Sequence, residues 1–132
     1  MLRREKILIP LGHNKNGLKS LHYAMALAER LKASLYIVQD SRCTSLKGAG
    51  SPGFDDTLKE MINSARLAGF SVSHHLATDL EADIVEMVEE EGIDVLVFSA
   101  DDADCAGIVQ RVRPRVPVQI IEVREKDHGS YI

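Results

Sequence analysis

Residues 78–104, TDLEADIVEMVEEEGIDVLVFSADDAD, decide the fold. Thr78-Asp79-Leu80-Glu81 has the form of a capping box, in which the Thr hydroxyl accepts from the third helical amide and the Glu reaches back. Leu80, Ile84, Met87 and Val88 then share one face of a helix. Gly92 stands where a left-handed stop is needed. Val95-Leu96-Val97-Phe98 follows as an unbroken apolar run, the pattern of a strand covered on both faces. A helix followed by a buried strand is half of a parallel α/β unit. In such sheets ligands sit in the loop after the strand, and here that loop is Ser99-Ala100-Asp101-Asp102-Ala103-Asp104.

The same alternation extends in both directions. Lys6-Ile7-Leu8-Ile9-Pro10-Leu11 reads as the first strand, and Gly12-His13-Asn14-Lys15-Asn16-Gly17 as a turn-rich loop. Leu21, Ala24, Met25, Ala28 and Leu31 give a helix over residues 18–32 its apolar stripe, with His22 partly covered beside it. Leu35-Tyr36-Ile37-Val38 is the second strand. A long loop over residues 39–53 precedes a helix over 54–68, with Leu58, Met61, Ile62 and Ala65 inward. Residues 70–76 alternate as a half-exposed edge strand would. After residues 78–104, a helix over 103–113 carries Ile108, Val109 and Val112 inward, and Pro114 closes it. Val116–Val123 is the fifth strand, and 125–132 form a polar tail. Strands alternating with helices predict one doubly wound parallel α/β domain spanning 1–132.

Composition excludes several functions. The chain has 132 residues, 45% hydrophobic and 27% charged, and a net charge of −4. A mildly acidic domain without Trp lacks both the basic face and the stacking platforms of a nucleic-acid binder. No run of about 18 apolar residues exists to span a membrane, and residues 1–6 lead into no long apolar region, so no secretory signal is expected. Cys43 and Cys105 make neither a disulfide framework nor a zinc motif, so a cytoplasmic location is expected.

Lys6-Ile7-Leu8-Ile9-Pro10, the helix ending in Leu31-Lys32-Ala33-Ser34-Leu35-Tyr36-Ile37-Val38, and Ala82-Asp83-Ile84-Val85 through Ile93-Asp94-Val95-Leu96-Val97 resemble the universal stress protein family. Val116-Pro117-Val118 resembles its last strand. The resemblance covers nearly the whole chain. It implies a five-stranded parallel sheet of order 3-2-1-4-5, helices on both faces, and a cytoplasmic homodimer. ATP-binding members carry an Asp after the first strand, where this chain has Gly12. They also carry a Gly-rich segment after the fourth strand, whereas only Gly107 lies between Ser99 and Val109 here. Val38 stands where the family offers a backbone contact to the base.

Physical chemistry points the same way. A phosphate seat needs free amides at a helix N-terminus and glycines that let the backbone approach. Asp101, Asp102 and Asp104 instead bring carboxylates that would cap those amides. One such charge about 4 Å from a phosphate costs roughly 4 kcal/mol at an effective dielectric of about 20. No tight ATP binding is expected.

Other motifs read as structure. Gly48-Ala49-Gly50-Ser51-Pro52-Gly53 matches G-x-G-x-x-G but neither follows a strand directly nor opens a helix cleanly. The aspartates after the fourth strand read as caps before they read as a cation site. His74 and His75 point to opposite faces of a strand and do not grip one metal. The acids around Cys105 oppose its thiolate, leaving Cys43 the more reactive cysteine. No catalytic constellation, cofactor or metal is expected. The crevice candidates for a small ligand are Gly12, His13, Asn14, Val38, Ser99 and Asp101. The fifth strand, with Val116, Val118, Ile120, Ile121 and Val123, is an edge that pairing with its own copy would cover. The expected function is a universal-stress-like regulatory or interaction module, a homodimer that also engages other proteins and does not hold ATP. The alternative is a sensor of a small molecule or nucleotide bound between strands one and four.

Overall fold

Short apolar runs with helices between them can bury both sheet faces only by pairing in parallel. The computed structural model, which describes residues 4–12, 15–41 and 53–124, is built this way. Its elements are β1 (Lys6–Leu11), α1 (Asn16–Leu31), β2 (Ser34–Asp40), α2 (Phe54–Leu67), β3 (Val72–Ala77), α3 (Leu80–Glu91), β4 (Val95–Ser99), α4 (Ala103–Val112), a 3-10 turn (Arg113–Arg115) and β5 (Gln119–Val123). The five strands form one sheet in the order β3-β2-β1-β4-β5, as the resemblance implies.

Each face of the sheet has its own apolar layer. Ile7, Ile9, Leu35, Ile37 and Val97 pack with Leu21, Ala24 and Ala28 of α1 and Leu58 and Ile62 of α2. Leu8, Val38, Leu96 and Phe98 pack with Leu80, Ile84 and Val88 of α3 and Ile108, Val109 and Val112 of α4. Leu31, expected in the stripe of α1, is 44% exposed, because the helix ends before that turn reaches the sheet. His22, read as partly covered, is exposed.

The N-terminal ends of three strands are tied at Asp94. Its side chain accepts from Lys6 N at 2.9 Å. Its own N–H donates to Lys6 O, and its carbonyl accepts from Gln119 N. Lys6 Nζ donates to Glu91 O at 2.6 Å, a cation on the negative end of α3.

Several expected boundaries shift. The N-cap of α3 is Asp79, not Thr78. Asp79 has the extended backbone of a cap, and its carboxylate accepts from Ala82 N at 3.2 Å. Glu81 does not reach back as a capping box requires. It accepts from Arg111 at 2.6 Å and Arg115 at 3.1 Å, bracing α3 against the end of α4. Strand β2 continues through Gln39 and Asp40, both buried, which the sequence pattern assigned to the loop. Strand β5 begins at Gln119 rather than Val116. Val116 is 8% exposed and packs into the α3–α4 layer, with Val118 half-buried beside it.

Lys32 is the one non-glycine residue with positive φ among those described, at φ 58° and ψ 42°, where it ends α1. A Cβ in that region costs about 1–2 kcal/mol, part of which is offset by the greater unfolded freedom of glycine. Lys32→Gly is therefore expected to raise stability by about 0.5–1 kcal/mol, read as a higher urea midpoint at unchanged slope.

Candidate functional site

Sheet register creates the crevice. Strand β1 pairs with β2 from Lys6↔Ser34 to Leu11↔Gln39. It pairs with β4 only at Ile7↔Val95 and Leu8↔Leu96. Beyond those pairs β1 and β4 diverge, and their loops leave toward opposite faces, which is the position where open α/β sheets receive ligands.

Asp102 fills that divergence. It stands at the N-cap position of α4 with an extended backbone, yet its side chain makes no cap bond to its own helix. The carboxylate turns across the crevice instead, and Gly12 N donates to Oδ2 at 3.4 Å. The residue is 0% exposed. A β-carbon at position 17 would lie 2.8 Å from Oδ2 and 3.1 Å from Leu11 Cδ2, so only glycine lets the carboxylate lie against the first turn of α1. That turn contains no acid, and Lys15 ahead of it gives no side-chain cap. Asp102 thus places its carboxyl group at the positive end of another helix. The expectation that the aspartates cap α4 is corrected for Asp102. Asp101 is half-buried, and the side chain of Asp104 lies outside the description.

The β4 loop is held in place around this contact. Ser99 is 1% exposed, and its Oγ accepts from Asp101 N at 3.3 Å. Ala100 N donates to Val123 O, and Asp102 N to Ser99 O. Asn16 Nδ2 donates to Asp101 O at 3.0 Å, joining α1 to the loop from the other side. Cys105 is wholly buried, within the α3–α4 layer.

Of the crevice candidates, Gly12, Ser99 and Asp101 come together here. Val38 is wholly buried within β2, in the apolar layer beneath α3 and α4. His13 and Asn14 lie outside the described residues, as do Cys43, the glycines from 48 to 50 and the tail. Sequence reasoning missed the reach of Asp102 and the need for Gly17. The available signal was a glycine in a helix's first turn with an acid after the neighbouring strand. Among the described residues no three His, Cys, Asp or Glu side chains gather to hold a metal.

A second polar pair lies at the end of β2. Gln39 is 2% exposed. Its Oε1 lies 3.0 Å from His74 Nε2, and the neutral Nε2–H tautomer of His74 donates to it. Among the described residues its Nε2 has no hydrogen-bond acceptor. The His74 pKa is lowered from 6.5, first by removal of the ring from water, then by His75 and Arg66, with Asp55 acting in opposition.

No family model matches the chain, and no curated protein sequence is similar to it. Solved structures do match over nearly its full length. The hypothetical protein MJ0577 matches at 15% identity and TM-score 0.70, over 94% of this chain and 98% of that one. A universal stress protein in complex with cAMP matches at 17% and 0.63, over 90% and 96%. The universal stress protein from Archaeoglobus fulgidus in complex with dAMP matches at 16% and 0.60, over 92% and 98%. At such identities the likeness is one of fold.

Two predictions follow from this geometry. Gly17→Ala gains about 1 kcal/mol of helix propensity but forces a clash costing about 1–3 kcal/mol. The expected result is a net loss of about 1 kcal/mol in chemical denaturation. For His74, a folded pKa below the unfolded one means that the unfolded chain takes the proton first as pH falls. Stability is intact above the unfolded pKa and is lost as pH drops through it. The fall in urea midpoint between about pH 7.5 and about pH 5 is expected to be smaller in His74→Gln.

Proposed function

We propose that this chain is a universal-stress-type regulatory or interaction module, non-enzymatic and cytoplasmic, that acts as a homodimer and does not hold ATP. The observation that carries the reading is Asp102. A mononucleotide or triphosphate in this crevice would bring its anionic oxygens toward Gly12 and the first turn of α1. That place already holds a buried carboxylate, backed by Gly17 and braced by the β4 loop. A phosphate entering there would have to displace the carboxyl group or lie against it.

What remains for function is surface. Strand β5 is an edge. Gln119 N donates to Asp94 O, and Ala100 N donates to Val123 O. This phase turns residues 119, 121 and 123 toward β4, so Ile120 and Glu122 offer their N–H and C=O outward. Ile120, Ile121 and Val123 are half-buried and add apolar area. Pairing with the same strand of a second copy would satisfy the edge across a two-fold axis.

A second reading, a sensor of a small molecule, draws on Gln39, whose buried amide lacks an acceptor. Native mass spectrometry separates the two. The first reading expects a dimer with no added mass after incubation with magnesium and ATP, and a monomer for Glu122→Pro, which blocks the outward N–H and keeps the β4 bonds. A retained small ligand would favour the sensor, and a wild-type monomer would refute the dimer.

A further inference from the structure

The opposite edge of the sheet is β3, which among the described residues bonds only β2. Leu35 N donates to Ser71 O, which sets the phase of the pair. Residues 73, 75 and 77 therefore turn their backbone groups toward β2, and 72, 74 and 76 turn theirs outward. Arg66 covers the outward carbonyl of Val72 at 3.0 Å. Among the described residues no strand faces the outward groups of His74 and Leu76. Leu76 also leaves its side chain 61% exposed, an apolar residue on an open edge. Native sheets ordinarily block such edges with Lys, Pro or a bulge, and β3 (VSHHLA) contains no Lys or Pro.

Beside this edge runs a groove of about 260 Å³ between β3 and α3. Asp83, Glu86 and Glu90 of α3 line it, with His75 and Leu76 of β3. No Lys or Arg is among the described residues lining it. Helix α3 itself, LEADIVEMVEEE, contains acids and no base. The α3 side of this edge is therefore acidic, and Arg66 stands at the Val72 end.

We propose that the β3 edge docks an extended segment of a partner protein in which basic residues alternate with apolar ones. The segment would add to the sheet as a sixth strand, bonded through the outward backbone of His74 and Leu76. Side chains of an added strand alternate between its faces. Those on the α3 side meet Asp83, Glu86 and Glu90 and are chosen as Lys or Arg by charge. Those on the other side meet Leu76 and are chosen as apolar. Backbone pairing gives the affinity, and the acidic wall gives the choice of partner and speeds encounter. The proposal stands apart from the crevice and from β5, so its failure would leave the preceding reading untouched.

The test uses two short synthetic peptides, one alternating Lys with Val and the other Glu with Val, titrated into the full-length protein and followed by amide NMR and hydrogen exchange. The Lys peptide is expected to shift the amides of residues 72–77 and to slow exchange at His74 and Leu76. The Glu peptide is expected to leave them unchanged. Leu76→Pro removes only an outward N–H, so it should keep the fold and abolish binding. Glu86→Lys combined with Glu90→Lys should weaken the Lys peptide by about tenfold. Equal binding of both peptides, binding that survives Leu76→Pro, or shifts confined to another surface would overturn the proposal. So would self-association through this edge in the absence of peptide, since the occupant would then be a second copy.

Discussion

The contact between the Asp102 carboxylate and the start of α1 governs how this molecule can work. It lies where β1 and β4 part, so it closes the position that the topology opens. The carboxylate meets a helix end that lacks an anion of its own, and burial removes it from the water that would otherwise screen the attraction. Gly17 is the geometric condition, because any side chain there would push the carboxylate away. The Ser99 turn and the Asn16 bond to Asp101 O hold the loop so that Asp102 cannot easily swing out. The crevice thus carries a carboxyl group of the chain itself, set against Gly17.

With the crevice occupied, the two edges of the sheet become the chemically interesting surfaces, and they differ in character. Strand β5 ends in a mixed setting, with Glu122 paired to Arg124 and half-buried Ile and Val residues on both faces. Strand β3 borders an acidic helix and shows a bare Leu76. As proposed, one edge would pair with a copy of itself, and the other would take a partner of opposite charge. The helices between them are joined by exposed pairs such as Glu81 with Arg111 and Arg115, which contribute little stability individually. The apolar layers on either side of the sheet carry most of the fold.

Much of this architecture was legible in the sequence because the signals were local. Val95 to Phe98 could be nothing but a covered strand once Gly92 had ended the helix, and the alternation of helix and strand fixed a parallel sheet. Local reasoning failed where a side chain chose between near and distant partners. Thr78 offered a hydroxyl at a plausible cap, but Asp79 adopted the extended backbone and Glu81 found Arg111 of α4 and Arg115 of the turn after it. Asp102 had the sequence of an ordinary cap and spent its carboxylate on the next helix over. Gln39 and Asp40 looked like the start of a loop because they are polar, yet β2 carries them into the interior. Each of these is a long-range choice that spacing alone does not encode.

The most direct test is a crystal structure of the protein grown with magnesium and ATP. The account predicts the Asp102 carboxylate within hydrogen-bond distance of Gly12 N, against Gly17, with no triphosphate density at the first turn of α1. Phosphate density at that turn, with the Asp102 side chain displaced toward solvent, would contradict it.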